Sequence, residues 1–215
     1  MKTDSMGKGE RRKRDFLATA SALFASKGYT ATTIQDILDQ LGCTKGSFYH
    51  HFSSKLDLLL GLAAEQAGLA YREYMRTALH SGGTDSLNAL LRAASLLDQR
   101  HLTLHQAQAQ LTDAYEGMAL QAAMYQAVYT AFFPAFASLM HSLRREDLAS
   151  FVSEDELQLA LRGFLTACPL LLGTDSPGLL RALRLQTERA LGLPAHSLRI
   201  LGQEELLSLR EGLRR

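Results

Sequence analysis

From residue 10 to residue 213 the apolar residues recur every three or four positions, interrupted by glycines, prolines and short polar clusters. That period is the spacing of one helix face, and it leaves a chain little choice but to pack helix on helix. Leu and Ala, both good helix formers, are the commonest apolar residues, and β-branched runs are nearly absent. The expected fold class is therefore all-α. With 47% apolar residues among 215, one large domain or two small ones can bury a core without covalent staples. No stretch reaches the roughly 18 uncharged apolar residues of a membrane span. The first residues carry charge in place of an apolar signal core, and Cys43 and Cys168 lie in no disulfide or zinc motif. A cytoplasmic protein without metal or cofactor, and without membrane contact, is the expectation.

The punctuation places the elements. A first helix spans 10–27 with Phe16, Leu17, Ala20, Leu23 and Phe24 on one face, and stops at Lys27-Gly28. Thr32 or Thr33 caps a second helix running to Leu41. Gly42-Cys43 turns the chain, and Thr44 caps a third helix ending at His51. Ser53 or Ser54 opens a fourth, with Asp57 placed as in a capping box, that can run to Leu79. Beyond Gly82-Gly83 the spacing predicts helices over about 85–100, over 103–145 with a division, and over 154–172, 177–191 and 203–213. The organisation is a three-helix head over 8–60 joined through the long fourth helix to a helical bundle over 61–215, with no repeat and no low-complexity linker.

Charge separates the two parts. Residues 1–60 carry a balance of +3 and residues 61–215 a balance of −2. A basic head suggests an anionic partner there. Two short helices around a glycine turn form a helix-turn-helix pattern. The third helix is too short to stand alone, since isolated helices need about 12–15 residues. Phe48 and Phe52 are its inward anchors, which turns Gly46, Ser47 and His50 outward with Tyr49 on the flank. Gly46 has two readings: close approach of a DNA strand, or tight packing on a neighbouring helix. Lys55, in the first turn of the fourth helix, stands against the helix dipole, a position a bound phosphate would favour. As an exposed lysine with no partner it would lose only a few tenths of a kcal/mol.

These residues carry a resemblance. The stretch Phe16–Lys55, with the matching strings LATASALFASKGYTATTIQDI and LGCTKGSFYHHFSSKLDLL, resembles the DNA-binding head of the TetR family of bacterial repressors. Leu38 departs from it, because a small alanine is usual there. The resemblance implies a double-stranded palindromic operator as partner. It implies phosphate contacts from Thr33, Tyr49, His50 and Lys55, and entry of Thr44, Lys45, Gly46 and Ser47 into the major groove. Lys45 would donate to guanine O6 and N7, and Ser47 would meet either kind of base. The basic arm Lys8–Arg14 would reach backbone or minor groove. Cys43 is expected to be a small packing residue.

Six of the sixteen Phe/Tyr residues fall within 115–136. Met118, Ala122, Tyr125, Tyr129, Phe132, Phe136, Leu139 and Leu143 step by alternating fours and threes, a continuous helical stripe. Ordinary core and an effector pocket both fit it. Tyr115, Met118, Tyr125, Tyr129, Phe132 and Phe136 are the candidate pocket residues, for an apolar or aromatic effector beside a kink at Pro134. The small-residue row Ala160, Gly163, Ala167 would let a second helix come close. The resemblance implies a two-fold homodimer through the helices over 154–191, with Leu157, Ala160, Leu161, Phe164, Ala167, Leu180 and Leu183 as interface residues. The competing reading is an enzyme or metal protein using His101 and His105, spaced i, i+4. It lacks a third ligand, a G-x-S-x-G elbow, a phosphate-binding glycine loop and a C-x-x-C pair.

Overall fold

The computed structural model describes residues 7–77, 82–173 and 176–213. The regular secondary structure of the described residues is all helical, with no strand among them. The elements are α1 Lys8–Lys27, α2 Ile34–Leu41, α3 Lys45–Tyr49, α4 Lys55–Thr77, α5 Gly83–Ser95, a 3-10 turn Gln99–His101, α6 Leu102–Gln110, α7 Ala114–Arg145, α8 Glu154–Ala167, α9 Leu170–Gly173, α10 Pro177–Ala190 and α11 Gln203–Leu213. Residues 78–79, expected to extend the fourth helix, lie outside the described residues.

The caps decide the boundaries. Thr33, not Thr32, caps α2: its hydroxyl accepts from the Asp36 N–H while the Asp36 carboxylate accepts from the Thr33 N–H at 2.6 Å, a reciprocal box. Thr32 is buried instead and donates its hydroxyl to the Gly28 carbonyl at 2.7 Å. Gly42 ends α2 with φ of 61°, the left-handed conformation that glycine adopts without a Cβ penalty. Ser54 receives the Asp57 N–H at α4, and Ser153 receives the Glu156 N–H at α8. The helix expected over 154–172 is interrupted between Ala167 and Leu170, where Pro169 lacks the N–H needed to continue the ladder. The third helix is shorter than expected: Lys45–Tyr49 is helical, and His50 and His51 form the turn that follows.

The chain forms two compact units. Among the described residues, one comprises those up to residue 65 together with 103–123, and the other those of 66–102 and from 124 on. Residues 103–123 thus pack with the head, so the units differ from a single division at residue 60. In the first unit Phe16, Phe48 and Phe52 are buried as a cluster with ring centroids 5.6–6.2 Å apart. Ile37 and Leu38 of α2 are buried as well. In the second unit the core includes Leu87, Leu90, Phe132, Phe136, Met140, Leu157 and Leu161.

A candidate nucleic-acid interface

The aromatic cluster fixes α3. Phe48 and Phe52 meet Phe16 edge to face, the arrangement favoured by the ring quadrupoles. With this face anchored, Thr44, Lys45, Gly46, Tyr49 and His50 are exposed and Ser47 is half-buried. The Thr44 hydroxyl receives the Ser47 N–H at 3.4 Å and so starts α3. Tyr49, 56% exposed, rests its ring edge-on against Phe48. Gly46 and His50 are thus exposed, with Ser47 half-buried and Tyr49 exposed beside them.

Gly46 separates its two readings. A Cβ built there would meet no heavy atom nearer than Thr44 Oγ1 at 3.9 Å, so nothing in the chain's own packing requires glycine. Gly61 behaves oppositely: its Cβ would stand 3.1 Å from Phe52 Cε1 and 3.3 Å from Leu17 Cδ2. Glycine at 46 therefore leaves space on the outside of the molecule, and glycine at 61 makes room for the core.

Two candidate phosphate contacts are engaged elsewhere. The Lys55 ammonium donates to the carbonyls of Tyr29 and Thr32 at 2.9 Å and of Thr30 at 3.5 Å, with the Tyr29 ring 4.3 Å away. Three carbonyls take its three N–H donors. Lys55 therefore pins the α1–α2 loop from the start of α4. Burial pushes its pKa down, against the pull of Glu116, and pushes the Tyr29 hydroxyl up to about 12. The other side of the loop is held by Gln110, whose Oε1 accepts from the Thr30 N–H at 3.1 Å. The Thr33 hydroxyl is likewise committed to its cap, donating to Asp36 at 2.7 Å. Hydrogen bonds from Lys27 and Thr33 hold the Asp36 carboxyl well below the usual carboxylate range.

At the start of α1, Lys8, Arg11, Arg12 and Arg14 are exposed. Arg12 donates to Cys43 Sγ at 3.4 Å, which ties the basic arm to the turn before α3.

In the second unit the aromatic stripe divides. Phe132 and Phe136 are fully buried, and Phe132 packs on Tyr71 and Tyr74 of α4. Tyr125 and Tyr129 are half-buried and stack in series with Phe133, at centroid separations of 6.1 and 5.1 Å. Arg162 lies 4.0 Å above the Tyr129 ring and donates to the Tyr125 hydroxyl at 2.8 Å. Tyr115 and Met118 are 79% and 70% exposed in the first unit, which corrects their assignment to a pocket. The inward positions at that end of α7 are Leu120, Met124 and Val128, about two positions round the helix from the predicted row. Methionine and tyrosine tolerate either environment, so they marked the wrong face.

α8 and α10 border a cleft of about 460 Å³ lined by Leu159, Ala160, Gly163, Phe164, Leu183 and Gln186, among others. Leu159 is 72% exposed, and a Cβ on Gly163 would meet nothing within 4 Å. Leu157 and Leu161 are buried in the unit's own core, which corrects their assignment to an interface. Ala160, Phe164 and Leu183 line the cleft; Leu180 is buried and Ala167 half-buried. His101 is buried and bonds Asp98 through Nδ1 at 2.8 Å. Burial raises the Asp98 pKa, but bonds from His101 and Arg100 outweigh it and hold the carboxyl well below its ordinary range. His105 is also buried, and no group of three or more His, Cys, Asp or Glu residues placed to hold a metal occurs among the described residues.

Comparison with known proteins places residues 16–62 in a family model described as bacterial regulatory proteins, TetR family. The transcriptional repressor KstR2 of Rhodococcus jostii is 39% identical over 103 residues, which cover 46% of this chain and 48% of that protein. The chain thus spans about half the length of this relative. Among solved structures, the fatty acid degradation regulator FadR of Bacillus halodurans superposes with a TM-score of 0.55 at 15% identity, covering 91% of this chain and all of that one. GusR of Salmonella enterica does so with a TM-score of 0.55 at 15% identity over 98% and 97%. At these identities the structural likeness concerns the fold.

Proposed function

We propose that the chain is a sequence-specific DNA-binding transcriptional regulator of the TetR type rather than an enzyme, on the match of residues 16–62 to the TetR family model and of about half the chain to a TetR-like repressor. The observation that carries this reading is the N-terminal end of α3. Lys45, Gly46 and Ser47 are presented outward together, on a helix held from behind by Phe48, with no internal reason for glycine at 46. Such an edge admits the floor of a major groove, where Lys45 would donate to guanine and Ser47 to either base. Tyr49, His50 and the arm Lys8–Arg14 would hold phosphates on either side, and these contacts would set register and salt dependence.

The unit of function would be a homodimer built on the α8–α10 cleft, with each copy offering Leu159 and Gly163 to the other. Its two α3 helices would read half-sites about 34–36 Å apart on a palindrome. Repression would be relieved by an apolar or aromatic effector. Within the second unit the Tyr125–Tyr129–Phe133 stack with Arg162 offers the aromatic surface and single cation that would orient such a molecule.

Genomic fragments retained by the purified protein would define the operator. Fluorescence anisotropy on that duplex and on a scrambled one would then test the reading. Tight operator binding, with a log–log salt slope of about −0.9 per phosphate contacted, is the expected result. Equal affinity for both duplexes would refute sequence-specific regulation.

A further inference from the structure

In the second unit Tyr125, Tyr129 and Phe133 repeat at i, i+4 along α7, and all three are half-buried. Successive rings are near parallel, at interplanar angles of 12° and 19°, so they form one ribbon that still meets solvent. Arg162 of α8 lies against this ribbon. Its guanidinium carbon is 4.0 Å from the Tyr129 centroid and 5.9 Å from that of Tyr125, and its Nη1 donates to the Tyr125 hydroxyl at 2.8 Å.

The charge of Arg162 is not answered within the chain. No ion pair to it occurs among the described residues, whereas Arg76, Arg92 and Arg100 of the same unit each meet a carboxylate. The sequence explains why. α7 carries no Asp, Glu, Lys or Arg between Glu116 and Arg144, and Arg162 is the only charged residue of α8 after Glu156. Glu156 turns back to accept the Val152 N–H at 2.6 Å. A guanidinium on a ring face keeps N–H donors along its edge, and that fork matches the two oxygens of a carboxylate. Beside it the ribbon offers flat π faces to a planar ring. A single cation with no acid near it favours one negative charge and gives an ammonium group no counter-ion.

We propose that this cluster binds a small planar aromatic carboxylate, its carboxylate on the free edge of Arg162 and its ring along Tyr125, Tyr129 and Phe133. The inference rests on the effector reading above and narrows it from an apolar or aromatic molecule to an aromatic acid. Binding needs no DNA, so it is measured apart from regulation.

Isothermal titration calorimetry on the full chain tests it with three probes of similar size. 2-Naphthoate carries both the charge and the flat rings, 2-naphthamide the rings without the charge, and decahydro-2-naphthoate the charge without the flatness. Saturable binding of 2-naphthoate is expected, with each of the other two weaker by about tenfold or more. Arg162→Gln should weaken 2-naphthoate about tenfold and leave 2-naphthamide unchanged. Arg162→Lys keeps the charge, loses the fork and should fall between. Tyr129→Leu should weaken both naphthalene probes. No binding of 2-naphthoate, or equal binding of 2-naphthamide, would overturn the proposal. An affinity for 2-naphthoate unchanged in Arg162→Gln would place the binding elsewhere and overturn the site. A dimer lost in Arg162→Gln, with no 2-naphthoate binding to wild type, would assign the cluster to a contact between copies and also overturn it. Binding of 2-naphthoate that leaves an operator complex intact would uphold the site and overturn the effector reading alone.

Discussion

Lys55 shows how one side chain can answer a different question from the one its position poses. Its place in the first turn of α4 points to a phosphate, yet its ammonium is bonded to the loop between α1 and α2. Lys55→Met should therefore cost the head about 1–3 kcal/mol, because part-buried carbonyls lose a charged donor. Chemical denaturation would register that loss. An unchanged midpoint, together with weaker binding to every duplex, would return Lys55 to the phosphate contacts. Asp36 gives the matching acid-side prediction. Its folded pKa lies below its unfolded one, so its contribution is present above the ordinary carboxylate range and is lost as pH falls through the depressed value. The thermal midpoint of wild type should fall more than that of Asp36→Asn on acidification below pH ~4. Equal slopes would remove the α2 cap from the acid response. The cysteines divide in the same way: burial pushes the Cys168 thiol up, whereas Cys43 is partly exposed. A thiol reagent should label Cys43 in the folded chain and Cys168 only after unfolding.

At the scale of elements, α3 is the shortest helix of the proposed DNA interface, and two glycines near it make opposite predictions. Gly46→Ala places a methyl in open space inside a helix, which should stabilise the fold by about 0.5–1 kcal/mol. The same methyl would stand between α3 and the groove, so operator affinity should fall while stability rises. Gly61→Ala would drive a Cβ against Phe52 and Leu17 and should lower stability, with operator binding falling only as the fold does. Paired melting and anisotropy measurements distinguish the two, and a Gly46→Ala protein with normal operator affinity would show that the DNA backbone does not come close there. Much of this element was legible in the sequence. The i, i+4 phenylalanines fixed which face turns inward, and the Thr44 cap fixed where α3 begins. Its end was not legible, because no capping residue marks it: the helical hydrogen bonds stop before His50-His51 although the apolar period continues to Phe52.

At the scale of the molecule, what the sequence left open was phase along long helices. A 32-residue helix such as α7 offers several apolar rows, and packing selects among them: Leu120, Met124 and Val128 face inward where Met118, Ala122 and Tyr125 were expected to. Arg162 gave no signal, since an arginine in an amphipathic helix has no pattern announcing that it will lie on tyrosine rings. The same uncertainty applied to α8. The buried residues Leu157 and Leu161 and the outward Leu159 and Gly163 occupy one helix, and only the fold separates core from the proposed interface. The distinction matters for a dimer, because a residue already buried in its own chain contributes stability to the monomer and little to association. Leu159 is large and apolar, and it is exposed beside the α8–α10 cleft. An arginine there would meet solvent in the monomer but would be buried unpaired across a two-fold interface. Leu159→Arg should thus leave helicity and the monomer fold intact, convert the protein to monomer in analytical ultracentrifugation, and weaken operator binding by the loss of the linked second half-site. Leu161→Ala, in the core, should instead cost about 2–5 kcal/mol of stability. A Leu159→Arg protein that remains dimeric would exclude this face of α8 from the interface and require the two reading helices to be brought together by another surface.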